Sequence, residues 1–149
     1  MVYTAWSSTT PSLYKVPVNG GEPVSLGNFQ ADNPRVSPDG KWVACQVEQS
    51  PDHWTVAIIG FDGKSDLRPI PNASDPFRWA RDSKSLTSVI TDPGGVSNVW
   101  RIPIDGSAPQ QSTRFEDQSI LTFAWSPGDA RLACIRLQNY SDVMLYQRQ

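Results

Sequence analysis

Few side chains in this sequence are of the kind that perform chemistry. His53 is the single histidine. A Ser-His-Asp hydrolase would set it beside a serine on a strained strand-to-helix turn, and the sequence has no Gly-x-Ser-x-Gly word for such a turn. His53 directly precedes Trp54 at a chain reversal and reads as an exposed turn residue. Gly63-Lys64-Ser65 imitates the end of a phosphate-binding loop, but the glycine that such a loop needs earlier falls on Ile58, and no helix follows. Gly94-Gly95 reads as a hairpin turn. Asp39, Asp82 and Asp129 recur at similar places and are candidate cation ligands. They are not clustered like the acids of a calcium loop, so capping of three separate turns is the preferred reading. Arg35 and Arg78 match one another in position and are a candidate site for an anion or an acidic partner. The alternative is two solvated arginines. Paired carboxylates of the glycosidase kind are not identifiable. The sequence thus predicts no catalytic residue, no metal ligand set and no cofactor.

Composition narrows the partners. The 149 residues carry 13 Lys+Arg and 15 Asp+Glu, a formal net charge of −2, which disfavours nucleic acid because phosphate binding needs a basic excess. The length fits one domain, and a hydrophobic fraction of 38% permits a packed core. No apolar run approaches the roughly 18 residues of a membrane span. Met1 to Pro11 shows neither a basic start nor an apolar stretch, so no signal peptide is expected. The 13 Pro and 10 Gly leave little room for long helices.

The elements that must position any site come from an internal repeat. Ser37-Pro38-Asp39-Gly40-Lys41, Ala80-Arg81-Asp82-Ser83-Lys84 and Ser126-Pro127-Gly128-Asp129-Ala130 start 43 and 46 residues apart. Asn19-Gly20, Asp62-Gly63 and Asp105-Gly106 keep a spacing of 43. Ahead of them recur Leu13-Tyr14-Lys15-Val16, Val56-Ala57-Ile58-Ile59 and Val99-Trp100-Arg101-Ile102, with Val143-Met144-Leu145-Tyr146 as a fourth copy. This period suits four-stranded propeller blades and exceeds the roughly 33–34 residues of common helical repeats. Asn-Gly and Asp-Gly between apolar runs signal hairpins, because both residues tolerate a positive φ. Lys41–Val47 and Arg131–Leu137 are nearly continuous apolar runs, the pattern of strands packed on both faces.

The repeat predicts about 14 antiparallel strands in four blades and little or no helix. Blade 1 (about 1–28) takes Val2–Ser7, Leu13–Val18 and Pro23–Leu26, with no innermost strand. Blade 2 (about 29–71) takes Pro34–Ser37, Lys41–Glu48, Trp54–Phe61 and Leu67–Ile70. Blade 3 (about 72–115) takes Phe77–Ala80, Lys84–Thr91, Val96–Ile104 and Pro109–Thr113. Blade 4 (about 116–149) takes Leu121–Ser126, Arg131–Leu137 and Asp142–Gln147, with no outermost strand. Phe77 to Asp92 also fits a helical face through Leu86, Val89 and Ile90, but the repeat register assigns it to strands. Trp79 and Trp125 then occupy equivalent places on innermost strands and are expected to pack between blades. Cys45 and Cys134 are equivalent residues two blades apart, expected to stay unbonded and buried as small hydrophobes.

The words SPDGKWVAC, LYKVPVNGGEPVSL, SNVWRIPIDGSAPQQST and FAWSPGDARLACIRL resemble the TolB-type, WD40-like β-propeller repeat. The closing SDVMLY is similar to the last strand of propellers attached to bacterial Ser/Thr kinases and winged-helix regulators. The resemblance spans residues 2 to 147 and departs from the family at Ala80-Arg81-Asp82-Ser83 and Gly128-Asp129. It implies an all-β partial propeller and a chain that holds a piece of a larger ring of six or seven blades. It also implies a non-catalytic scaffold for protein–protein or small-ligand recognition, as in the sensing or docking part of a bacterial signalling protein, and favours an extracytoplasmic setting such as the periplasm. Arg35 and Arg78 would then line the mouth of the central channel. The alternative function is an accessory propeller gating a hydrolase of the prolyl oligopeptidase type. Open blade ends imply self-association.

Overall fold

The turn Ser37-Pro38-Asp39-Gly40 shows how the chain reverses. The Ser37 carbonyl accepts from the Gly40 amide at 2.9 Å, and Gly40 takes a φ of 73°, where a side chain is strained. The Ser37 hydroxyl donates to Asp39 Oδ1 at 2.6 Å and accepts from the Trp42 amide at 3.0 Å. The same closure recurs from Ser83 to Ala80 and from Asp129 to Ser126, both at 3.0 Å. Ser83 (φ 59°) and Asp129 (φ 57°) hold the left-handed position without being glycine.

These turns link 13 strands in the computed structural model, which describes residues 1–8, 10–51 and 53–138. Blade I contains β1 (Val2–Ser7), β2 (Thr10–Lys15) and β3 (Val24–Ser25). Blade II contains β4 (Ala31–Val36), β5 (Trp42–Ser50), β6 (His53–Gly60) and β7 (Arg68–Pro69). Blade III contains β8 (Phe77–Trp79), β9 (Ser85–Thr91), β10 (Ser97–Pro103) and β11 (Gln110–Gln111). Blade IV contains β12 (Ser119–Trp125) and β13 (Leu132–Leu137). Every pairing is antiparallel between chain neighbours. The described residues contain no helix, so Phe77 to Asp92 follows the repeat and not its weak helical periodicity. The strand expected over Asp142–Gln147 lies outside the described residues.

Two strands start three residues earlier than the sequence suggests, each around a proline. β2 begins at Thr10 and includes Pro11, which pairs with Trp6. β3 reaches only Tyr14 and Lys15, so the missing amide of Pro11 faces no ladder partner on that side. β4 begins at Ala31 because the register shifts between Asp32 and Arg35, with Asn33 at a φ of 53° and Pro34 inside the irregularity. The outermost strands β3, β7 and β11 have two residues each, which limits the open edge.

The blades stack through three apolar layers. Leu13, Leu26, Ala31, Val43, Cys45 and Ile59 join I to II. Ala44, Val56, Ile58, Phe77, Leu86 and Ile102 join II to III. Val89, Val99, Ile120 and Phe123 join III to IV. Val43 and Cys45 thus face one way and Ala44 the other, and all three are fully buried. That is why Lys41–Val47 reads as a continuous apolar run.

Blade IV corrects the corresponding reading of Arg131–Leu137. Leu132, Cys134 and Arg136 are half-buried, whereas Ala133, Ile135 and Leu137 are exposed. Among the described residues only blade III packs on β13, so one of its two apolar faces is open.

Candidate functional site

The reversals 37–41, 80–84 and 126–130 lie at one end of the strands, beside β4, β8 and β12. There a groove of about 730 Å³ opens between blades II, III and IV, lined by Pro38, Arg78, Trp79, Arg81, Trp125 and Asp129 among others. Its volume falls within the range of small-ligand clefts. Three polar links hold its walls. Trp79 Nε1 donates to the Arg35 carbonyl at 2.7 Å. Trp125 Nε1 donates to Thr87 Oγ1 at 3.3 Å. The Arg81 amide donates to Asp129 Oδ2 at 3.0 Å. Both tryptophans are half-buried against the layers between blades, as the repeat register predicts, and each also carries an inter-blade hydrogen bond.

Arg78 sits on β8, half-buried, with Nη1 donating to the Phe77 carbonyl at 2.7 Å. Its guanidinium is drawn below its ordinary pKa, first by burial and then by the Arg35 guanidinium, while the Asp75 carboxylate pulls the other way. Arg35, on β4, is exposed and lies one blade back. The charge of Arg35, one blade back, thus bears on its sequence-matched counterpart Arg78. Among the described residues the ion pairs are Arg101 with Asp82 at 2.6 Å and Arg136 with Asp117 at 2.5 Å, so neither Arg35, Arg78 nor Arg81 has a carboxylate within salt-bridge distance. Asp75 is engaged elsewhere, accepting from Asn33 Nδ2 at 2.8 Å.

Arg81 was not among the residues that the sequence singles out. It stands where Pro38 and Pro127 stand in the other two copies of the turn, so the signal was the break in the repeated word. The three aspartates are distributed over three turns. Asp39 Oδ1 accepts from the Ser37 hydroxyl and the Lys41 amide, which hold its carboxyl below the usual range. Asp82 Oδ1 accepts from the Lys84 amide at 3.0 Å. Asp129 instead reaches the Arg81 amide of the neighbouring blade. Among the described residues no three His, Cys, Asp or Glu side chains gather into a metal-binding group. His53 is exposed at the start of β6, at the opposite end of the strands from the groove. The Gly63 turn has a φ of 76° and no helix after it.

No family model and no curated protein matches this sequence. Solved structures do match. A putative TolB from Agrobacterium tumefaciens aligns with a TM-score of 0.58 and 17% identity over 74% of this chain and 44% of that one. TolB from Acinetobacter baumannii aligns with a TM-score of 0.68 and 19% identity over 89% of this chain and 34% of that one. The β-propeller domain of the Trilobed protease from Pyrococcus furiosus, described as revealing an open velcro topology, aligns with a TM-score of 0.56 and 19% identity over 81% of this chain and 40% of that one. The chain spans less than half the length of each of these proteins. The fold is an all-β, partial β-propeller. Within that class it is TolB-like.

Proposed function

We propose that residues 1–149 form a single propeller segment that acts as a non-catalytic recognition scaffold, and that the groove beside Arg35 and Arg78 takes an anionic partner, specifically an acidic peptide segment. The observation that carries this reading is the half-buried Arg78 guanidinium at an open groove, its basicity lowered first by burial and then by the charge of Arg35, with neither arginine salt-bridged to a carboxylate among the described residues. Two like charges held together cost free energy that a bound anion recovers, and a guanidinium fork suits a carboxylate. Arg81 extends the cationic rim, and the two indoles offer flat apolar walls for a peptide backbone. A role in sensing or docking, such as a bacterial signalling protein requires, follows from recognition without chemistry. The accessory-propeller alternative has in its favour one protease propeller at 19% identity, which speaks to the fold alone.

The test is a titration of the protein with a fluorescently labelled Asp/Glu-rich peptide, with a Lys/Arg-rich peptide of equal length as control. The acidic peptide should bind, more weakly as salt rises. Combined Arg35→Gln and Arg78→Gln substitution should weaken it about tenfold, near 1.4 kcal/mol. Equal binding of the two peptides, or an unaffected double variant, would overturn the reading.

A further inference from the structure

Two copies of the repeated turn depart from the word at residues that touch each other. The second residue is Pro38 in blade II and Pro127 in blade IV, but Arg81 in blade III. The third is Asp39 in blade II and Asp82 in blade III, but Gly128 in blade IV, where the acid comes one place later as Asp129. A proline at the second place has no amide to give. Arg81 has one, and it donates to Asp129 Oδ2 at 3.0 Å, joining blade III to blade IV. In the usual order the acid serves its own turn, as Asp39 Oδ1 does with the Lys41 amide at 3.1 Å and Asp82 Oδ1 with the Lys84 amide at 3.0 Å.

The displaced acid leaves a glycine beside the Arg81 side chain. A β-carbon on residue 128 would stand 3.3 Å from Arg81 Nη1, closer than ordinary contact, and the φ of 91° there would strain any side chain. The exchange of Asp-Gly for Gly128-Asp129 therefore does two things. It supplies an acceptor to the Arg81 amide, and it clears the place where the Arg81 guanidinium lies. Asp129 adopts a left-handed φ of 57° to do so, and a non-glycine residue held in that region beside a cleft points to function. The adjacent Asp82 is taken up by Arg101 at 2.6 Å, and among the described residues no carboxylate lies within salt-bridge distance of the Arg81 guanidinium. Arg81 is exposed where Arg78 is half-buried, and both line the groove of about 730 Å³. Asp129 is the one acid among the lining residues, and its Oδ2 is already occupied by the Arg81 amide.

We infer that Arg81 is the specificity-determining residue of the groove, selecting a side-chain carboxylate of the bound peptide, and that Gly128 and Asp129 are its positioning residues. The inference rests on the reading of the groove as an acidic-peptide site and deepens it. The ligand carries at least two acidic residues, one for Arg35 and Arg78 and one for Arg81, because a guanidinium fork is satisfied by a carboxylate of its own. Latching the main chain of Arg81 to blade IV matters for affinity. A long side chain that starts from a fixed backbone loses less freedom on binding than one on a free turn.

The test compares a labelled Asp/Glu-rich peptide with the same peptide carrying Asn and Gln in place of its acids, and reads the ratio of the two affinities. Arg81→Gln should lower that ratio about tenfold and leave the neutral peptide's affinity unchanged, which a merely structural role would not do. Gly128→Ala should lower the ratio as well. Gly106→Ala, with a similar φ of 89° and open space around it, should not. Adding Gly128→Ala to Arg81→Gln should change the ratio no further, because the glycine acts through the arginine. Circular dichroism and urea unfolding verify the fold of each variant. A wild-type ratio in folded Arg81→Gln, where Arg35→Gln with Arg78→Gln does lower it, would overturn this inference and leave the acidic-peptide reading standing. Equal affinity of the wild-type protein for both peptides would overturn the two together. A peptide with one acidic residue that binds as tightly as the Asp/Glu-rich one would contradict the need for two carboxylates.

Discussion

The main-chain amide of Asp39 donates to the hydroxyl of Ser83 at 3.0 Å, tying the turn of blade II to that of blade III. Ser83 does this from a left-handed conformation (φ 59°) that its counterpart Gly40 adopts at less steric cost. The Ala80-Arg81-Asp82-Ser83 turn is thus a modified copy of the repeated word, with the glycine replaced by a hydroxyl that reaches back to the preceding blade.

Removing that hydroxyl separates two effects. Ser83→Ala keeps the backbone strain and loses the hydrogen bond, and should cost about 1 kcal/mol, or roughly 2–4 °C in Tm at this chain length. Ser83→Gly loses the same bond but relieves the strain, so it should cost less. Denaturant unfolding of both variants checks the order. A glycine variant less stable than the alanine variant would contradict the role assigned to φ.

Phe77 is fully buried in the layer joining blades II and III. Phe77→Ala should destabilise the fold by about 3–5 kcal/mol, the usual cost of emptying such a site. Urea unfolding followed by tryptophan fluorescence measures it. A loss below about 1 kcal/mol would mean that the two blades do not share this layer.

Both cysteines are free, and burial pushes the Cys45 thiol up to about 12. Cys134 is also raised by burial, less one-sidedly because Arg136 favours its thiolate. A thiol reagent at mild alkaline pH should leave Cys45 untouched in the native protein and label both residues after unfolding. The linkage has a definite sign. The folded-state value of Cys45 lies above the ordinary thiol value of 9.0, so its stabilisation is complete below about 9 and declines as pH rises toward about 12. A native protein that reacts quickly at Cys45 would contradict the burial.

Acid acts through different groups. Asp39 is held low by the Ser37 hydroxyl and then the Lys41 amide, and Asp105 by the amide and then the hydroxyl of Ser107. A carboxylate with a depressed folded-state pKa stabilises above its unfolded value, and that contribution fades as pH falls through the folded one. Stability should therefore decline as pH falls below the ordinary aspartate value of 3.8, and less steeply in the Asp39→Asn, Asp105→Asn double variant. A double variant with the wild-type acid profile would show that these turns are not the titrating element.

The strands and their grouping were legible in the sequence because turn words repeat at a fixed spacing, and β5 announces two-sided burial by its apolar run. Trp79 and Trp125 were legible as packing residues for the same reason. The strand starts at Thr10 and Ala31 were not, because proline argues against a strand unless the ladder on its amide side is known to be vacant or irregular. Asp129 misled through its own turn, since its partner amide at Arg81 lies 48 residues away and only stacking brings them together. The open face of β13 was hidden because an apolar run looks the same whether one or both of its faces are covered. Arg35 and Arg78 were visible as a matched pair, but the burial of Arg78 beside a groove, within the field of Arg35, required three dimensions.

The most direct test of recognition at the arginine groove is an NMR titration of the indole N–H signals of Trp6, Trp42, Trp54, Trp79, Trp100 and Trp125 with the Asp/Glu-rich peptide. The signals of Trp79 and Trp125, which line the groove, should move in a saturable way, with those of exposed Trp6 and Trp54 at the far end of the strands unchanged. The movement should vanish in the Arg35→Gln, Arg78→Gln variant. Shifts confined to Trp6 and Trp54, or a Trp79 and Trp125 response that survives loss of both arginines, would contradict the account.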